Sequence, residues 1–299
     1  MQAPRAGDGR SHVTLIKAIQ SFFLNNKNNL IIFITVVIGL TVYLIVASQI
    51  PVGVDWKNYF RPAALELLKG HSPYTVYGYY NPPWALLPLI PFALLPETTG
   101  YILLIVITLI AFAYTGHKLG ASKIAVIALL LSPPVMHEIL TGNIDWLATI
   151  GVVFPPWLGL FFLVIKPQIG IGVIIFWLFS TWKEGGVKNV IKTFAPVTMV
   201  YGLSIILFGM WPLLATGTLN EWWDASLWPV SIPLGLALLV TAIRKNDIRY
   251  AMGASPTLSP HVIFHSWVVV LLAILSSTPE TIAAVVGLWI LVAIRIAGG

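Results

Sequence analysis

Between Leu30 and Ala47 the chain carries no charged residue, and this apolar run is long enough to cross about 30 Å of hydrocarbon as a helix. A cleaved signal peptide is the competing reading, but its apolar core would be about 7–15 residues and its basic leader shorter than residues 1–29. Further apolar segments lie at 98–116, 122–136, 167–182, 194–215, 227–243, 260–276 and 279–297. Backbone in hydrocarbon must satisfy its own hydrogen bonds, so segments of this kind are expected as helices. Composition points the same way: 58% of the 299 residues are apolar and 9% charged, too few charges to solvate a water-soluble globule. The expectation is an all-α, polytopic integral membrane protein, with a cytoplasmic basic tail at 1–29 and a single multispanning membrane domain over 30–299. The chain has no cysteine, which excludes disulfides, thiolate metal sites and cysteine nucleophiles.

Shorter apolar pieces at 82–96, 143–154 and 156–165 are bounded by prolines, among them Pro82, Pro83, Pro96, Pro155, Pro156 and Pro167. Pieces of 10–15 residues cannot span, and backbone that turns inside a membrane must be buried in protein or line a wet cavity. They read as re-entrant half-helices around a site, or else as loops. Charge placement favours the first. Lys and Arg cluster before the first span and around 118–123, 183–192 and 244–249, which accounts for 12 of the 17 and puts those connections, with the N-terminus, on the cytoplasmic side. Basic charge that sets topology argues against a nucleic-acid partner. Residues 250–259 are too few to cross back unaided, so a shortened helix that climbs partway is one way to join Arg249 to the segment at 260.

The first outward loop, 51–81, opens with Trp56, Phe60, Ala63, Ala64, Leu67 and Leu68 at helical spacing and charged residues between them, which predicts an interfacial amphipathic helix ending at Gly70. Asp55 stands at its mouth. Spacing alone favours a helix N-cap there. The alternative is a carboxylate held at the membrane surface to take a proton from a hydroxyl nucleophile. Of the 11 acids, Asp55, Glu138, Asp145, Glu221 and Asp224 are left on the outer side once cytoplasmic, span-end and locally paired ones are set aside. The tyrosines of 74–80 read as an interfacial belt or a stacking platform. Lys166, among the half-helices, would cost about 2.5–3.5 kcal/mol at mid-membrane unless paired, snorkelled or wet. His261 and His265 are expected one helical turn apart, where both can face a cleft. As a metal site this pair is weak, and His137, Glu138 and Asp145 around the Gly142-Asn143 turn read equally as site groups or as caps.

Several of these motifs, taken in order, carry a resemblance. Asp55 followed by Tyr59, Ala63-Ala64 through Gly70, Ser72-Pro73-Tyr74, Asn81-Pro82-Pro83 through Pro88, and Leu95-Pro96 are similar to the N-terminal half of glycosyltransferase family 87. Ser132-Pro133-Pro134 leading to Thr141-Gly142-Asn143-Ile144-Asp145, then Lys166-Pro167-Gln168, then Leu258-Ser259-Pro260-His261, extend the likeness over about residues 30–276. The family consists of GT-C-type membrane enzymes and includes polyprenol-phosphate-mannose-dependent alpha-mannosyltransferases. The resemblance implies a GT-C-type bundle that moves a sugar, mannose in particular, from a polyprenyl-phosphate donor to a lipid or glycan acceptor. Transfer would invert the anomeric centre on the outward face of the plasma membrane; no cofactor is expected, and Lys and His side chains make a metal ion unnecessary. On this likeness Asp55 is the general base, and Lys166, His261 and His265 bind the donor phosphate. Tyr59, Tyr74, Tyr80, Asn81, Asn143, Asp145 and Gln168 line the substrates. The chain departs from the family where Gly142-Asn143 and Asp145 replace a usual Gly-Gln and Asn. Two alternatives remain: a lipid-linked-glycan transporter or flippase, and a catalytically inactive assembly subunit on the same scaffold.

Overall fold

The computed structural model describes Gln49, residues 51–218 (backbone alone at 215–218) and residues 224–298. The basic tail, the run from Leu30 to Ala47 and Glu221 lie outside the described residues. The chain divides into two compact units, Met1–Pro51, of which Gln49 and Pro51 are described, and Val52–Gly299. The second unit is all-helical among its described residues; its one extended pairing is the isolated bridge between Asp224 and Ile263.

Helical structure begins at Val54 and widens over Trp56–Phe60 into a turn that runs on into α1 (Arg61–Leu68). Trp56, Phe60, Ala63 and Ala64 are buried while Leu68 is exposed, so the predicted apolar face is real but narrower than the sequence suggests. Pro62 sits in the first turn of α1, where no N–H is needed, and Gly70 closes the element at φ +79°. The proline-rich stretch follows as a tight turn at Pro83–Leu89 and the single turn α2 (Ile90–Ala93).

Then come α3 (Glu97–Lys118), α4 (Lys123–Leu130) and α5 (Pro133–Thr141). The last two are bent by 51°, because Pro133 and Pro134 cannot continue the hydrogen bonding of α4. The stretch 143–165 folds as two short helices, α6 (Asp145–Ile150) and α7 (Pro156–Leu163), each too short to span. The segments expected separately at 167–182 and 194–215 are two helices that meet at a kink at Gly185–Gly186, within the stretch Pro167–Phe208 (α8). Gly186 has φ +63° there, and Gly209 at φ +75° stops the helix short of 215.

The segment at 227–243 is shifted and shortened to α9 (Ile232–Lys245), 14 residues or about 21 Å. The segment at 260–276 is also shorter than expected. Its first residues are pinned extended against Asp224, and only α11 (Val268–Ile274) is a regular helix. Between them α10 (Ile248–Thr257) takes the stretch that was too short to cross, and every residue from Ala251 to Thr257 is buried in it. Ser255 on α10 accepts from the backbone N–H of Gly172 at 3.0 Å, which ties α10 to α8. The chain closes with α12 (Thr278–Gly298).

Among the described residues three helices, α3, α8 and α12, are long and apolar enough to cross a membrane; α4 with α5 makes a fourth if the bent pair is one span. About half of the apolar stretch of α3 is inside the fold, whereas α12 and the most apolar stretch of α8 leave most of theirs uncovered, the residues of α8 from Gln168 to Thr181 supplying most of its buried positions.

Candidate functional site

The turn at Trp56–Phe60 and the turn after α5 are pressed together because two glycines allow it. A Cβ on Gly53 would collide with the backbone of Thr141, and one on Gly142, which has φ +72°, would lie 2.7 Å from Cβ of Trp56. This contact brings Asp55 to Asn143 across 88 residues of sequence.

Asp55 is not an N-cap. The backbone carbonyl of Gly53 already accepts from Lys57 N–H at 2.9 Å, so Asp55 lies inside the helix, with φ −72° and ψ −41° and no capping bond. Its Oδ2 accepts from Asn143 Nδ2 at 2.6 Å, and Asn143 Oδ1 accepts from the Ile144 N–H at 2.7 Å, which fixes which way the amide points. Burial raises the Asp55 pKa above its ordinary value, against the opposing pull of the Asn143 hydrogen bond, Lys166 and His137.

Asp55 opens on a cavity of about 650 Å³. Of the residues singled out in the sequence, Asp55, Tyr59, Tyr80, Asn81, Asn143, Lys166, Gln168, His261 and His265 line it. Tyr74 and Asp145 do not, and both stand behind the wall. Tyr74 donates to the Asn81 carbonyl at 2.9 Å and stacks on Trp211 at 5.5 Å, while Asn81 Nδ2 donates to the Ile165 carbonyl at 2.9 Å. Tyr74 therefore steadies the strip that presents Lys166.

Asp145 has no exposed surface. Its Oδ1 lies 3.2 Å from Lys166 Nζ, its Oδ2 accepts from Ser266 Oγ, and His265 Nε2 is 3.5 Å from Oδ2. Lys166 is thus paired rather than snorkelled, with its side chain 7% exposed. The following proline keeps Lys166 out of the helical region, at φ −132° and ψ 90°, so its side chain leaves the chain just before the positive end of α8. An ammonium has three donors, and one ion pair leaves two for a ligand.

Glu138 takes the capping role: its Oε1 accepts from Trp146 N–H at 2.8 Å at the start of α6. The two histidines are not successive turns of one helix, since residues 261–263 are extended and helical structure begins at Phe264. They take different partners. His261 lies 3.5 Å from Asp224 Oδ1, which also accepts from the Val262 N–H at 2.9 Å, and His265 meets His137, Nδ1 to Nδ1, at 3.1 Å. Sequence reasoning missed Tyr201, Trp211 and Phe264 as lining residues, and Asp224 and Ser266 as partners; these arrive from distant elements and carry no local signature. Among the described residues no group of three or more acids and histidines is placed to hold a metal ion.

The chain matches no family model, no curated protein and no solved structure. The resemblance to glycosyltransferase family 87 therefore rests on motif order alone.

Proposed function

We propose that this protein is a GT-C-type, polytopic membrane glycosyltransferase that transfers a sugar, mannose in particular, from a polyprenyl-phosphate donor to a lipid or glycan hydroxyl, with inversion. The observation that carries the reading is one half-buried carboxylate, relieved of any capping duty, sharing a cavity with a paired lysine at a helix N-terminus. A hydroxyl nucleophile needs one positioned base, and a departing phosphate needs cations and donors where negative charge develops. Asp55 supplies the first. Lys166 and His261 supply the second, the ring nitrogens of His265 being turned to His137 and Asp145 instead of the cavity, and Gln168 and the aromatic wall fit a sugar and the start of a prenyl chain. On this reading the N-terminus is cytoplasmic, the cavity faces outward from the plasma membrane, and the uncovered faces of α8 and α12 meet lipid tails.

Purified protein in lipid, given labelled polyprenyl-phosphate mannose and candidate acceptors, tests it. Asp55→Asn is expected to lower transfer by about 10²–10⁴ with donor binding kept. Equal transfer by both proteins removes Asp55 from the mechanism. A transporter would move the lipid-linked sugar across the bilayer and tolerate Asp55→Asn; an inactive subunit would hold the donor without turnover.

A further inference from the structure

His137, on α5, lines the cavity beside Asp55 and is given no work by the transfer step above. Its ring lies on that of His265, with centroids 5.3 Å apart and planes at 24°, and Phe264 meets it edge-on at 5.8 Å. The Nδ1 atoms of the two rings are 3.1 Å apart, so one must carry the proton and the other accept it. His265 is 1% exposed, and its far nitrogen, Nε2, is 3.5 Å from Asp145 Oδ2. Carboxylate and two imidazoles thus stand in a row from Asp145 to His137, the first step an ion-pair distance without a hydrogen bond and the second a hydrogen bond through Nδ1, which leaves Nε2 of cavity-lining His137 uncommitted by it. Against the cost of its burial, the Asp55 and Asp145 charges favour the protonated ring of His137 through space. The other ionisable groups around His137 are Asp55 ahead of α1, Glu138 beside it on α5, Lys166 ahead of α8, and His261 with its partner Asp224.

We infer that His137 is a second acid–base residue of the cavity, which gives the proton on its Nε2 to the phosphate oxygen of the departing lipid phosphate, with His265 and Asp145 as positioning residues. This rests on the transferase reading. As the acceptor oxygen bonds to the anomeric carbon, its proton passes to Asp55. The bond from that carbon to the phosphate oxygen breaks, and both electrons stay on the oxygen. The imidazolium of His137 then protonates this oxygen, and the proton held by Asp55 restores His137. Acceptor hydroxyl and sugar phosphodiester become glycoside and hydrogen phosphate monoester, with no proton exchanged with solvent.

Two measurements on the full chain in phosphatidylcholine nanodiscs test this. In the first, transfer from polyprenyl-phosphate mannose is followed against pH for wild type, His137→Gln and His265→Asn. Wild type should lose rate as rising pH deprotonates the imidazolium. His137→Gln should lower the maximum by about 10²-fold and remove that alkaline limb, and His265→Asn should shift the limb while donor binding stays. In the second, ring-¹⁵N histidine spectra are recorded with farnesyl phosphate and with farnesol, with His137→Gln providing the assignment. His137 should become protonated with the phosphate and not with the alcohol. The inference is overturned if His137→Gln keeps the wild-type rate and limb, or if farnesyl phosphate binds and leaves His137 neutral. Absence of transfer by wild type would sink the transferase reading instead, and the spectra would still decide whether His137 protonates against a lipid phosphate.

Discussion

Asp55 and Lys166 are governed by opposite accidents of placement. Burial holds the Asp55 proton to a higher pH than in the unfolded chain, so in the window between the ordinary carboxylate range and its raised value the folded state binds the extra proton. Stability therefore falls as pH rises through that window, and base-dependent activity appears in the same window, because only the ionised carboxylate can act. Asn143→Ala removes the hydrogen bond that opposes the shift, so the acid limb of a kcat–pH profile should move to higher pH while the plateau above it persists. At Lys166 the charge is held by Asp145 inside the fold. Lys166→Met should cost about 3–5 kcal/mol in denaturant unfolding, because it strands the buried carboxylate, and adding Asp145→Asn should recover much of that stability but not donor binding.

Among the elements, the contact between the turn at Trp56 and the turn after α5 matters most, because it brings the proposed base, Asp55, to its amide partner. Gly142 combines a positive φ with a Cβ position already filled by Trp56. Gly142→Ala should therefore lower stability by more than about 1 kcal/mol, and the relaxation should separate Asn143 from Asp55 and slow transfer. Unfolding midpoint and the acid limb read the two effects separately. Where several elements begin was legible in the sequence because proline acts locally: Pro83, Pro156 and Pro167 each open the element that follows. The sequence placed the division of α8 in the right gap but made it too long. A charged stretch over 183–192 reads as a loop, yet only Gly185 and Gly186 leave helical geometry, and the lysines around them ride on helix.

At the scale of the whole molecule the expected outcome concerns sidedness. The chain has no cysteine, so single reporters need no background removal. Lys57→Cys and Lys188→Cys sit on exposed positions; the first should react with an impermeant maleimide on intact cells, and the second only after permeabilisation. Reaction of Lys188→Cys from outside, with Lys57→Cys protected until permeabilisation, would reverse the proposed orientation. The residues in order were enough to determine that the described chain is helical, where several helices begin, and that Asp55, Lys166 and the histidines are its chemically unusual groups. These follow from local rules: charge-free length, proline stereochemistry, and the cost of a cation among apolar residues. Only the tertiary structure decided what those groups do to one another. Asp55 could be released from capping only once Gly53 was seen to start the helix, and its partner Asn143 is 88 residues away. Asp145 moved from the lining to the support of Lys166, and His265 parted from His261, because Ser266 and Asp224 arrive from remote elements to claim them. Hydrogen bonds and ion pairs act over about 3 Å in space and carry no trace of the sequence distance they close.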